Sequence, residues 1–183
     1  NVTVLEKMQR EGKKILWVEK MNRGAAKMEF PQRKPNRLKD FDYSQNGAYF
    51  ITICVKDKKK LLGGIAAGQD TIELSEYGLA VEQAIQGIAQ HYSNAAVEKY
   101  IIMPNHIHLI IMLREADVRT MTAPTISRII KHMKEFVTKK TGRSFWQKTF
   151  HDHIIRNERE YQEIWEYIHT NPMKWKEDCF FIP

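Results

Sequence analysis

A chain of 183 residues, 43% hydrophobic and 28% charged, can close one hydrophobic core of its own and needs no second domain. Its two cysteines, Cys54 and Cys179, exclude a disulfide framework and a cysteine-built zinc site. The net charge of +7 is uneven, with 11 Lys and Arg against 5 Asp and Glu in residues 1–40 and 7 against 1 in residues 128–148. Such clustering suits a polyanionic ligand, although a solvated helix face and a basic tail would look the same. No apolar run approaches the ~18 residues a membrane helix needs, and no signal peptide is visible, so the chain reads as cytoplasmic.

Residues 1–30 read as an N-terminal extension that need not be native, with Met28 a candidate start, and 31–183 as a single domain. Arg33, Lys34 and Arg37 lie in a stretch with Pro31 and Pro35, which predicts an irregular basic arm of the kind that tracks phosphates. Residues 49–55, β-branched and aromatic and preceded by Asn46-Gly47, predict a first strand. The lysine-rich run 56–60 then enters a glycine-containing loop. Ser75 is placed to cap a helix running to about Tyr92, with Leu79, Ala80, Ala84, Ile85, Ile88 and Ala89 as its buried stripe.

Two apolar strands follow, 95–103 and 106–113, joined at Met103-Pro-Asn105. A second helix, about 125–140, buries Ile126, Ile129, Ile130, Met133 and Val137 and turns Arg128, Lys131 and Lys134 outward; Gly142 closes it. Residues 145–156 predict another strand and 158–170 a third helix. Pro172 ends that helix near Asn171, because a residue before proline avoids the α region. The order β-α-β-β-α-β with an added C-terminal helix fits an α+β, ferredoxin-like antiparallel sheet with helices on one face.

His106 and His108 open the strand after the turn. Alternate side chains of a strand share a face, so two imidazoles there can bite one metal ion. The same spacing recurs at His151 and His153, and strand histidines are often only hydrogen-bonded. On the last helix, Tyr167 and Asn171 are four residues apart and share a face. A tyrosine hydroxyl can act as a nucleophile, and an amide carbonyl can ligate a hard divalent ion. Equally, Tyr167 can be a core-edge residue and Asn171 a helix cap before proline.

The segments Arg33-Lys-Pro-Asn-Arg-Leu38, Asp42-Tyr-Ser-Gln-Asn-Gly-Ala-Tyr-Phe50, Met103-Pro-Asn-His-Ile-His-Leu109, Asp152-His-Ile-Ile-Arg156 and Tyr167-Ile-His-Thr-Asn-Pro172 occur in this order. Together they resemble the REP-associated tyrosine transposases, a branch of the single-tyrosine HUH transposases, over about residues 31–176. The resemblance implies that His106 and His108 bind Mg or Mn, with Asn171 where the third ligand is expected and Tyr167 as the nucleophile. It also implies cleavage of single-stranded DNA beside hairpins of repeated extragenic palindromes, through a 5′-phosphotyrosine. The enzyme would be a monomer or homodimer with no membrane partner. Arg33, Lys34, Arg37, Arg128, Lys131 and Lys134 are then the candidate DNA contacts. Three other readings stay open: a non-catalytic single-strand-binding module, a water-using metal hydrolase, and a rolling-circle initiator-type nickase.

Overall fold

A computed structural model describes residues 45–66, 71–114 and 125–182. The arm with Arg33, Lys34 and Arg37, and the N-terminal extension, lie outside these residues. The first strand, β1 (Gly47–Cys54), is central, and its alternation decides the architecture. Tyr49, Ile51 and Ile53 point to one face, while Ala48, Phe50, Thr52 and Cys54 point to the other. The ribbon that follows, β2 (Gly63–Ile65) and β3 (Ile72–Leu74), stands where the sequence predicted only a loop. Its strands are too short to show a period. Gly63 is required there, because a Cβ would lie 2.4 Å from the Glu73 carbonyl oxygen.

Helix α1 (Glu76–Gln86) starts at Ser75, whose Oγ accepts from Gly78 N at 3.2 Å. It divides at Gly87 from the short α2 (Ile88–His91) instead of running on to Tyr92 as one helix. The expected stripe is also offset. Leu79 is 56% exposed and Ala89 is exposed, whereas Val81 is buried. Strands β4 (Ala95–Met103) and β5 (His106–Leu113) match the predicted bounds, with a bulge between Val97 and Lys99. Helix α3 (Ile126–Thr141) buries the five predicted residues and closes at Gly142, whose φ of 65° is left-handed.

Of the strand expected over 145–156, only β6 (His151–Ile155) pairs as a strand. Phe145 and Trp146 instead turn into the core, with one bridge from Trp146 to Val55. Helix α4 (Glu158–Thr170) is capped by Asn157. Its end corrects one expectation: Asn171 is in the right-handed α region (φ −57°, ψ −41°) despite preceding proline, and a 3₁₀ turn, Pro172–Glu177, follows directly. The cost is offset by bonds at both of its ends, Lys174 N to Asn171 O and Asn171 Nδ2 to Asp178.

The sheet order is β4-β5-β1-β6, antiparallel throughout, as in a ferredoxin-like fold. Helices α1 and α3 cover the face of Ile51, Ile53, Ile107 and Leu109. Helix α4 covers the opposite face, where Ile164 and Ile168 pack on Phe50, Ile110 and Ile155. Among the described residues, no helix is long and apolar enough to cross a membrane.

Candidate active site and metal centre

Register puts Cys54 of β1 opposite His106 and Thr52 opposite His108, so both imidazoles emerge on the α4 face in the middle of the sheet. Both are fully buried. Burial holds them neutral: it drives the His106 pKa well below its ordinary value, helped by neighbouring His108 and Lys58, and drives His108 down to about 3. Neutral imidazole is the ligand form.

Ring orientation follows from the partners. Asn105 donates through Nδ2 to the carbonyls of Phe180 (2.8 Å) and Lys58 (3.2 Å), which leaves its Oδ1 as the acceptor facing His106 Nδ1 at 2.9 Å. His106 therefore carries its proton on Nδ1 and presents a lone pair at Nε2. His108 Nδ1 meets Thr52 Oγ1 at 2.8 Å, a hydroxyl able to serve either tautomer. The two Nε2 atoms stand 3.0 Å apart.

Helix α4 brings Tyr167 over this pair. Its hydroxyl is 3.3 Å from His108 Nε2 and donates to Asp178 Oδ2 at 3.4 Å. The ring of Phe50 packs between, stacked on His108 at 5.3 Å and edge-on to Tyr167 at 6.1 Å. Burial, and then the charge of Asp178, raise the Tyr167 pKa well above its ordinary value. One turn on, Asn171 Nδ2 donates to Asp178 Oδ2 at 3.1 Å, while its Oδ1 is buried with no hydrogen-bond partner. Asn171 stands at the cap position of the following turn, but its side chain makes no capping bond there.

Asp178 is the residue that sequence reasoning missed. It lies in irregular chain after the last helix, where no period points to it; the only signal was its being one of two acidic residues, with Glu177, that follow Tyr167. One donor atom each from His106, His108 and Asp178 lies within 4.8 Å of the others, a cluster that can hold a metal ion. The orphaned Asn171 oxygen adds a donor of the same hard class. The segment carrying Asp178 also covers the site, with the Phe180 ring 4.4 Å from His106. Lys58, in the lysine-rich run 56–60, donates to Cys179 O at 3.1 Å, and Lys60 lies over the Phe181 ring at 5.4 Å. The rival pair is spent elsewhere: His153 Nε2 meets Glu160 Oε1 at 2.8 Å and ties β6 to α4.

Of the predicted DNA contacts, Arg128, Lys131 and Lys134 lie on α3, across the sheet from the histidines. Arg128 and Lys131 are exposed. Lys134 corrects the expectation of an outward cation: its ammonium donates to Gln147 O (2.9 Å) and Thr149 O (3.3 Å), and burial lowers its pKa to about 8.

The sequence pattern of the family described as "Transposase IS200 like" matches residues 43–171, which takes in β1, the histidine pair, Tyr167 and Asn171. The chain belongs to that transposase family. A protein of Haemophilus influenzae is 34% identical to this transposase over 170 residues, 82% of this chain and 93% of its own. The REP-associated tyrosine transposase of Escherichia coli is 30% identical over 79 residues, 43% of this chain and 44% of its own. A solved structure of a REP-associated tyrosine transposase bound to a REP hairpin matches with a TM-score of 0.58 at 23% identity, over 76% of this chain and 74% of that one. The last likeness shows that the transposase shares that fold.

Proposed function

We propose that this transposase cuts and rejoins single-stranded DNA beside a hairpin, with Tyr167 as the nucleophile and residues 31–183 as the catalytic domain. The observation that carries the reading is the Tyr167 hydroxyl, held 3.3 Å from His108 Nε2 at the mouth of a buried donor cluster. His106, His108 and Asn171 would hold a divalent ion, Mg or Mn, with Asp178 as a further oxygen donor. Such an ion supplies Lewis-acid stabilisation of the negative charge that develops on a phosphodiester under attack.

The chain's own groups do the rest. Tyr167 Oη attacks phosphorus, the bond from phosphorus to the 3′-oxygen breaks, and the products are a 5′-phosphotyrosine and a 3′-OH that takes up a proton. Attack requires the phenol to lose its proton, which its raised pKa resists. Asp178 accepts that hydroxyl hydrogen bond, and burial raises its own pKa from the ordinary carboxylate value, which makes it a better base than an exposed carboxylate. The same carboxylate orients the Asn171 amide. Because the phosphotyrosine conserves the bond, attack by another 3′-OH reseals DNA without ATP. Both imidazoles are fully buried, His106 beside the Phe180 ring and His108 between Phe50 and Tyr167, so a phosphate reaches them only when covering side chains move aside.

The test is incubation of the purified protein with Mn²⁺ and a labelled single-stranded hairpin, followed by a denaturing gel. A covalent protein–DNA adduct is expected, lost in Tyr167→Phe and kept in Tyr161→Phe. Cleavage surviving in Tyr167→Phe would replace the reading with a water-using hydrolase. Binding without metal-dependent cleavage would favour the non-catalytic module.

A further inference from the structure

The lysine-rich run after β1 opens with a 3₁₀ turn, Lys56–Lys58. Two successive residues in it, Asp57 (φ 58°) and Lys58 (φ 53°), are left-handed without being glycine. A residue with a Cβ enters that region at a cost, so the surrounding bonds have to hold it there. Lys58 N donates to Val55 O at 3.1 Å, and Lys58 O accepts from Asn105 Nδ2 at 3.2 Å. Asn105 is also the partner of His106 Nδ1, so this lysine is mounted on the turn that orients the histidine.

The turn separates Lys58 from its neighbours. Lys56, Lys59 and Lys60 are exposed, whereas Lys58 is half-buried. Its ammonium lies 5.8 Å from the centre of the Phe180 ring, and that ring is 4.4 Å from His106. It donates to Cys179 O at 3.1 Å, one residue along the chain from Asp178. Its charge is felt in the site as well. Burial lowers the His106 pKa most, His108 next and the Lys58 charge after them; at Asp178 the same charge opposes the rise that burial causes.

The charge balance of the reaction gives such a cation a task. Both imidazoles and the Asn171 oxygen are neutral donors, and Asp178 adds negative charge when ionised. Attack on a phosphodiester adds negative charge to its nonbridging oxygens. One of these oxygens faces the donor cluster, where a divalent ion would supply Lewis-acid help; the other is best met by a fixed positive group. Lysine meets phosphate as a point charge, on a flexible four-carbon stem that can follow the oxygen. The acceptor now at the ammonium is itself an oxygen, the Cys179 carbonyl, beside the ring that covers His106. A phosphate that displaces this cover takes the carbonyl's place.

We propose that Lys58 is a catalytic residue of the strand-cutting reaction, its ammonium gripping the nonbridging oxygen of the scissile phosphate that faces away from the donor cluster. This rests on the DNA-cleavage reading above. Lys58 forms no covalent bond and supplies charge and hydrogen bonds only; the exchange at phosphorus between Tyr167 Oη and the 3′-oxygen is unchanged.

The test is single-turnover cleavage of a labelled single-stranded hairpin in Mn²⁺ by the full chain and two variants. Lys58→Met keeps the length of the stem and removes the charge; Lys58→Arg keeps a charged donor. Lys58→Met is expected to lower the maximal rate of adduct formation about 100-fold, the scale of removing one donor from a developing oxyanion. Lys58→Arg should stay within about tenfold of the parent, since its fork also grips phosphate. Hairpin affinity by anisotropy, and Mn²⁺ affinity without DNA by titration calorimetry, should both stay within about twofold, because the interaction belongs to the transition state. A lysine that only ties down the tail behaves otherwise. Its loss would loosen the cover and speed cleavage, or would displace Asp178 and weaken Mn²⁺ binding. An unchanged or faster rate in Lys58→Met, or a slower rate matched by weaker Mn²⁺ binding, overturns the proposal and leaves the cleavage reading standing. Absence of any adduct with the unaltered chain overturns both.

Discussion

Replacing Asn105 by alanine probes the link between the turn and the metal centre. Asn105 is 1% exposed, and its side chain makes three bonds, to Phe180 O, to Lys58 O and from His106 Nδ1. Alanine leaves two carbonyls and one ring N–H without their partners. At ~1–3 kcal/mol for a fully buried group, and less for the part-buried Lys58 carbonyl, the loss sums to about 3–5 kcal/mol. That is a large share of the ~5–15 kcal/mol typical of a folded domain. A second effect falls on metal affinity, because His106 loses the acceptor that fixes its tautomer; removal of such a partner typically weakens binding by about 10–100-fold. Urea unfolding measures the first effect and Mn²⁺ titration calorimetry the second. Asn105→Asp separates them: it keeps an acceptor for His106 but sets carboxylate oxygen against two carbonyls, so affinity should survive better than stability. If Asn105→Ala unfolds within about 1 kcal/mol of the parent, or binds Mn²⁺ as tightly, then Asn105 neither anchors the tail nor orients the ring.

Three further expectations follow from the same geometry. In chelated protein, the His108 pKa of about 3 lies below the ordinary ~6.5, so the unfolded chain takes up a proton that the folded one refuses. Stability then falls as pH drops below about 6.5, by about 2 kcal/mol at pH 5 from His108 alone, and His108→Gln should make the urea-midpoint profile between pH 7 and 5 shallower, with His106 supplying part of the slope that remains. Gly78→Ala should destabilise by roughly 1–3 kcal/mol despite better helix propensity, since its Cβ would meet the Leu62 carbonyl oxygen at 2.0 Å. Gly87→Ala, with contacts of 3.4 Å and longer, should be neutral or stabilising, and in thermal melts Gly78→Ala should fall below the parent while Gly87→Ala does not, or the close-approach argument is wrong. Phe180→Ala should raise the initial cleavage rate several-fold at saturating Mn²⁺ by uncovering His106; an unchanged rate would mean that the ring does not limit access.

Much of the fold was legible because its determinants are local. The bounds of β4, β5 and α4 follow from long apolar runs, a Pro-Asn turn and the proline after Asn171. What failed was short or depended on contacts distant in sequence. The ribbon β2–β3 has three residues per strand, below any readable period. Residues 145–150 carry Phe145, Trp146 and Phe150 like a strand, yet Phe145 and Trp146 serve the core beside Tyr77 and Val55. Lys134 reads as one more cation on a basic helix face, and only the carbonyls of Gln147 and Thr149 reveal it as a structural tie.

The site divides in the same way. By itself the sequence determined the histidine pair and its shared face, because strand alternation is a property of a few consecutive residues. It also determined that Tyr167 and Asn171 share a helix face, because helical period does the same for residues four apart. Tertiary structure decided that those two faces meet, since α4 crosses to the side of the sheet opposite α1 and α3. It alone recruited Asp178, and it alone buried both imidazoles. Burial and long-range proximity depend on where the whole chain goes, and no local pattern encodes them.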